Sequence, residues 1–152
     1  MSKRKGQLKS SGRGIENRIP KSLINKSPKY ISVSFLYFQN IDDYPAQSLE
    51  NWDDEGRLLD MLKTLQHVTS NDITQLQSSD EKIKLYHDFP PKSVNEFSIP
   101  PSLKGCMEDS DKWGVLRNVG GQKPRIVGFL RGEVFYIVYL DKEHKFYKSE
   151  KK

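Results

Sequence analysis

Hydrophobic and β-branched residues are spread unevenly along the chain, and their densest run is WGVLRNVGGQKPRIVGFLRGEVFYIVYLDKEHKFYKS, from Trp113 to Ser149. Turn-forming residues cut this run at short intervals, the pattern of an antiparallel meander of four strands. Trp113 to Asn118 makes the first strand, Gly120-Gly121-Gln122-Lys123-Pro124 the turn after it, and Arg125 to Arg131 the second. Gly132-Glu133 then stands where a two-residue type II′ hairpin requires its glycine. Closing that turn on Arg131 and Val134 sets Phe129 opposite Tyr136, Val127 opposite Val138 and Arg125 opposite Leu140. Both faces of the hairpin are largely apolar at its middle, as in central strands with one side against helices. After a turn at Asp141-Lys142-Glu143-His144, Lys145 to Ser149 makes the last strand, at an edge that Lys148 and the terminal Glu-Lys-Lys blunt against aggregation.

Upstream, Tyr30 to Phe38 alternates with period two, Ile31, Val33 and Phe35 on one side and Ser32 and Ser34 on the other, which predicts a strand. Asn40 to Pro45 ends it, because Asn and Asp favour turns and proline donates nothing to a ladder. From Glu50 to Val68 the period becomes helical: Leu58, Met61, Leu62 and Leu65 form a stripe flanked by Trp52 and Leu59. Asp53, Asp54 and Glu55 occupy the first turns, where the helix dipole favours acids, and Ser48 or Asn51 can cap them. A short second helix begins at a Ser70 cap, giving a helical hairpin. Residues 79 to 112 are broken by Pro90, Pro91, Pro100 and Pro101. They hold an aromatic knot, Tyr86-His87-Asp88-Phe89, and room for a short strand at Glu96 to Ile99. A stretch of this length in a compact domain predicts an ordered insertion or lid. The whole pattern predicts one α+β domain over residues 29–152, with an N-terminal strand, a helical hairpin and a four-stranded antiparallel meander packed on the helices.

Charge adds a division that hydropathy does not show. The net charge is +8 over residues 1–29, −8 over residues 30–112 and +5 over residues 113–152. Residues 1–28 mix Lys, Arg, Ser and Gly with isolated apolar residues, a composition that predicts a disordered basic arm. Such an arm can grip phosphates without sequence preference, or serve solubility alone. Cys106 is the only cysteine, which excludes an intramolecular disulfide and a cysteine-rich zinc site and fits a reducing compartment. The basic N-terminus lacks the apolar core of an export signal, and no later run is long enough to span a bilayer. The expectation is a cytoplasmic protein without a membrane partner.

The chain carries no phosphate loop, no histidine pair at helical metal spacing and no nucleophile elbow, so neither metal nor cofactor is expected. His67, His87 and His144 are scattered, and a lone histidine is most often a surface residue. One constellation stands out. The hairpin register brings Arg125 beside the turn that carries Lys142 and His144, with Lys145 and Tyr147 just beyond and Arg117 on the same side of the Gly-Gly turn. Guanidinium groups that hold a phosphate, next to an imidazole and a phenol that can move protons, suit a phosphodiester. A solvated sheet rim accounts for the same charges.

The order of elements, strand, helical hairpin, then a meander, resembles the RelE/ParE toxin superfamily. The residues that carry the resemblance are Trp113-Gly-Val-Leu-Arg117, Arg125-Ile-Val-Gly-Phe-Leu130, Val134-Phe-Tyr-Ile-Val-Tyr-Leu140 and the basic turn ending at Tyr147. The resemblance implies a metal-independent endoribonuclease acting on messenger RNA, with RNA or the ribosome and a cognate antitoxin as partners. It implies catalytic roles for Arg125, His144, Lys145 and Tyr147, and RNA contacts from Arg117, Arg131 and Lys142. The long passage before Trp113, the acidic first helix and the basic arm depart from the superfamily. Two other readings stand beside it: a non-catalytic RNA- or protein-binding module that uses the same basic edge and the arm, and a phage or defence interaction protein whose acidic helical face docks a basic partner.

Overall fold

The computed structural model describes residues 29–78 and 82–148, so the basic arm expected over residues 1–28 lies outside them. The chain is α+β. Strand β1 (Ser32–Ser34) is followed by helices α1 (Leu49–Asp54), α2 (Leu58–Ser70) and α3 (Ile73–Ser78), then β2 (Ile83–His87) and a one-turn helix α4 (Pro101–Lys104). Strands β3 (Lys112–Leu116), β4 (Arg125–Arg131) and β5 (Val134–Asp141) complete it. The sheet has five strands in the order β1-β5-β4-β3-β2. Its β1–β5 pair is parallel and the other three are antiparallel.

The stretch expected as one helix over Glu50 to Val68 is two. Ser48 caps α1 by accepting the Asn51 amide at 3.1 Å. At its other end Gly56 takes the left-handed conformation, φ +73°, with the Gly56 amide donating to Asp53 and the Arg57 amide to the Trp52 carbonyl. This paired 5→2 and 6→1 arrangement terminates a helix at a glycine. The break lets both pieces reach the sheet: Trp52 from α1, and Met61, Leu65 and Val68 from α2, are buried, whereas Leu59 and Leu62 are exposed. The third helix is capped by Asp72, which accepts the Thr74 amide at 2.7 Å and the Lys29 amide at 3.2 Å. Ser70 instead closes α2, its hydroxyl donating to the Gln66 carbonyl.

The sheet differs from the expected meander at both edges. Lys145 to Lys148 forms no strand; the fourth antiparallel strand is β2, paired to β3 on the opposite side and drawn from the passage read as irregular. The type II′ turn closes on Arg131 and Val134 as expected, with Phe129 opposite Tyr136, and only Gly132 of its two central residues has positive φ. Beyond it a bulge inserts Val138, so Val127 faces Tyr139 and Arg125 faces Asp141 rather than Leu140. Of the predicted β1 run only three residues pair, and Phe35 is exposed. Glu96 to Ile99 is not a strand, although Phe97 is buried.

Apolar side chains cover both faces of the sheet. On one face Ile126, Ile137 and Leu140 pack with Trp52, Met61, Val68 and Leu76 of the helices. On the other, Trp113, Val127, Phe129 and Val138 pack with Phe97, Leu103 and Phe146. The cover on this second face comes mainly from residues 86–107, which is the structural role of the passage before Trp113. Arg131 pins this cover down. Its guanidinium donates to the buried Asp111 carboxylate at 2.7 and 2.8 Å and to the Cys106 carbonyl at 2.9 Å. No helix among the described residues is long and apolar enough to cross a membrane.

Close packing at the bulge predicts intolerance at Gly128. A Cβ added there meets the Tyr136 carbonyl oxygen well inside van der Waals contact and the Phe135 ring at 2.8 Å. Gly128→Ala is expected to destabilise the protein by about 2–3 kcal/mol, the range for overpacking a closed site, read from the urea midpoint. Gly105→Ala, whose added Cβ finds nothing within 4 Å, is expected to change stability by less than about 0.5 kcal/mol.

Candidate phosphodiester site

Strand parity decides which side chains meet at the second face's open end. Successive strand residues point to opposite faces, and Val115 and Val127 both belong to the second core. Arg117, two residues past Val115, and Arg125, two residues before Val127, therefore share that face. Lys84 pairs with Val115 across the β2–β3 ladder, which places Lys84 and Tyr86 there as well. The loop after β5 closes the end. Phe146 plugs the core, fully buried against Trp113, Phe89 and Phe97. Its neighbours His144 and Tyr147 line a cleft of about 420 Å³ together with Lys84, Tyr86, Val94, Arg117, Arg125 and Lys148. The Tyr86 and Tyr147 rings lie 4.6 Å apart and inclined at 32°.

One buried carboxylate shapes the loop. Asp141 is fully buried at the end of β5, and its oxygens accept the Lys145 amide at 2.8 and 2.9 Å and the Phe146 amide at 2.9 Å. The His144 amide adds to this set. Drawing these amides inward requires a sharp bend, taken by His144 at φ 60°, a conformation that His adopts more readily than bulkier residues do. The captured amides are unavailable to a strand ladder, which is why no strand forms over Lys145 to Lys148. The loop is fastened to the cover by the Glu96 amide donating to the Lys145 carbonyl at 3.0 Å and the Lys148 amide donating to the Val94 carbonyl at 2.8 Å.

The electrostatics of the cleft are cationic. Among the described residues its lining contains four cations, Lys84, Arg117, Arg125 and Lys148, and no acidic side chain. Lys148 bonds Glu96 at 3.1 Å at the rim. Arg125 is only 7% exposed and donates to the Gln122 carbonyl at 2.8 Å. Burial first, and then the neighbouring Arg117, lower its pKa, yet a guanidinium remains charged at neutral pH. Burial also depresses the His144 pKa, with Arg125 pushing the same way and the Tyr147 backbone opposing. The imidazole is thus held neutral and basic beside fixed positive charge. Burial raises Tyr86. No group of three or more His, Cys, Asp or Glu side chains among the described residues has metal-binding geometry.

Four of the residues singled out from sequence, Arg117, Arg125, His144 and Tyr147, share this cleft. The other three lie elsewhere. Lys142 reaches α1, bonding Glu55 at 2.5 Å and Asn51 at 3.3 Å. Lys145 lines, with Lys142, a separate hollow beside Asp42, Tyr44 and Gln47. Arg131 stands at the opposite end of β4, committed to Asp111.

Comparison of the chain with protein-family models, curated proteins and solved structures found no match. The site is therefore defined by its own geometry. Sequence reasoning missed Lys84, Tyr86 and Lys148 as lining residues. A period-two signal existed in Ile83-Lys84-Leu85-Tyr86-His87, but five residues between an acidic stretch and two prolines offer little to distinguish a strand from a loop.

The loop carboxylate gives a pH prediction. Burial lifts the Asp141 pKa to about 6, against the opposing pull of the backbone amides and Arg125. A carboxylate with a raised folded-state pKa binds its proton more tightly in the folded than in the unfolded chain. Its contribution to stability is therefore greatest below pH 4 and declines as pH rises through about 6. Subtracting the Asp141→Asn stability curve from the wild-type curve is expected to leave a fall of roughly 3 kcal/mol between about pH 4 and 6. A flat difference from pH 4 to 7 in urea titrations contradicts the raised value.

Proposed function

We propose that the protein is a metal-independent endoribonuclease that binds a phosphodiester of single-stranded RNA in the Arg117–Arg125–His144–Tyr147 cleft. The observation that carries this reading is the placement of a neutral, partly buried imidazole beside two guanidinium groups, in a cleft whose lining has no acidic side chain among the described residues. In the proposed reaction His144 takes the proton of the ribose 2′-hydroxyl, whose oxygen attacks the adjacent phosphorus. The P–O5′ bond breaks, and the departing 5′-oxygen receives a proton from the Tyr147 phenol; His144 then gives its proton to solvent and Tyr147 regains one from it. The products are a 2′,3′-cyclic phosphate and a 5′-hydroxyl. Arg117 and Arg125 stabilise the charge gathered on the phosphate oxygens. The resemblance to the RelE/ParE superfamily supports the reading through Arg125, His144 and Tyr147, three of the four catalytic residues it implied, with Arg117 as a phosphate contact, and makes messenger RNA, on the ribosome, the substrate to try first.

A second reading, RNA binding without cleavage, is favoured by Lys145. It was expected among the catalytic cations but lies in a separate hollow, leaving the cleft with fewer mobile charges than the chemistry was expected to use.

Incubating labelled single-stranded RNA with the protein in EDTA, with and without ribosomes, tests the proposal. Fragments ending in cyclic phosphate are expected. His144→Asn, which tolerates the left-handed backbone, is expected to slow their formation by about 100-fold or more. Because the imidazole pKa is depressed, the rate should be flat across neutral pH and fall on acidification with a midpoint below 6.5. Cleavage by His144→Asn at the wild-type rate contradicts the assignment. Binding without cleavage that Arg125→Ala abolishes selects the second reading.

A further inference from the structure

The cleft adjoins a second hollow, of about 410 Å³, lined by Arg117, Asn118, Gln122, Lys123, Arg125 and His144. Arg117, Arg125 and His144 line both hollows and form the ridge between them. Tyr86 and Tyr147 line the hollow on one side of the ridge, and Asn118, Gln122 and Lys123 of the β3–β4 turn line the hollow on the other, Asn118 also bordering a hollow beside Asp60 and Lys63 of α2. Each hollow falls within the size of small-molecule sites, roughly 300–1,000 Å³.

The turn is held in place relative to the ridge. The Arg125 guanidinium donates to the Gln122 carbonyl at 2.8 Å, and the Asn118 carbonyl accepts the Lys82 ammonium at 2.9 Å. Asn118 itself is left-handed, φ 55°, and the Val119 amide closes the turn on the Pro124 carbonyl at 3.1 Å. The exposed side chains of Asn118 and Gln122 therefore project from a fixed backbone, which a selective subsite needs. Each offers an amide donor pair beside a carbonyl acceptor, the complement of a base edge.

We infer that Asn118 and Gln122 form a base-reading subsite for the nucleotide next to the bound phosphate, so that two consecutive nucleotides of an unpaired strand straddle the ridge. One base lies against Tyr147 in the aromatic hollow, and its neighbour enters the β3–β4 hollow. Bases splayed to opposite sides of a ridge cannot remain stacked in a duplex, so the site selects single strands. This inference rests on the phosphodiester reading of the cleft.

Hexanucleotides of uniform 2′-O-methyl RNA, one for each central dinucleotide, keep bases and phosphates but lack the attacking hydroxyl, and their affinities test the subsite. The wild type is expected to prefer one base at one central position by about tenfold, in line with a paired amide contact. Asn118→Gly with Gln122→Ala is expected to flatten that preference to within about twofold while leaving the salt dependence unchanged. Glycine suits the left-handed position, and an unchanged urea midpoint checks the fold. Arg117→Ala should weaken all sequences alike and lower the salt slope by about one. If Arg117→Ala acts so but the preference is absent from the wild type or survives in the double variant, the subsite is overturned and the phosphodiester reading stands. If Arg117→Ala changes nothing, or no hexanucleotide binds, both are overturned.

Discussion

The buried carboxylate of Asp141 is the constraint on which the rest of the second face depends. Burial in a low-dielectric interior penalises its charge, and three backbone amides offset part of that penalty. Those amides come from His144, Lys145 and Phe146, so satisfying the carboxylate fixes the path of the loop. Once the path is fixed, Phe146 must enter the core, and His144 and Tyr147 fall on the cleft side of it. Lys142 and Lys145 fall on the other. Arg125 sits opposite Asp141 in the ladder, so the same charge that bends the loop also draws the guanidinium toward the site's floor. Core and site are one electrostatic unit.

A sheet with apolar residues on both faces needs two covers. The helices supply one from contiguous sequence. The other is assembled from residues 86–107 and the loop after β5, joined by the Glu96–Lys145 and Val94–Lys148 backbone bonds and by the Tyr139 hydroxyl donating to the Ser98 carbonyl at 2.9 Å. Because this cover stops short of the β3–β4 turn, the end of the sheet is left open, and the cleft is what remains. The passage before Trp113 thus builds one wall of the site as well as roofing the core.

Much of this was legible in the sequence, and the failures have physical causes. The β4–β5 turn could be read because Gly132 and the alternation on either side agree. The register failed only past Val138, since a bulge adds one residue without a compositional mark, and that single step exchanged Leu140 for Asp141 as the partner of Arg125. Gly56 announces the break between α1 and α2, but the helical period of the leucines outweighed it, and the surplus leucines, Leu59 and Leu62, are the exposed ones. Arg125 and Arg131 share a face by parity, yet six residues of strand separate them by roughly 20 Å, so parity alone could not keep Arg131 at the site. Lys145 was misplaced for another reason: alternation has no meaning once the backbone turns inward to bind a carboxylate.

The charge pattern of the cleft bears on whether it is a site or merely a rim. Exposed lysines on a sheet edge cost little, because water screens them. Arg117 and Arg125 are different: both are withdrawn from full exposure, and burial first, then the neighbouring Arg117, lowers the pKa of Arg125. Asp141 accounts for Arg125 in part, because the guanidinium opposite it in the ladder offsets some of the cost of its buried charge. An anion bound across both groups relieves the repulsion and is repaid for its own desolvation by bidentate hydrogen bonds. The neutral imidazole beside them follows first from burial and then from the neighbouring Arg125 charge. Under the phosphodiester reading, Arg117 and Arg125 are the two cleft cations that would meet the bound group, since Lys148 is already bonded to Glu96.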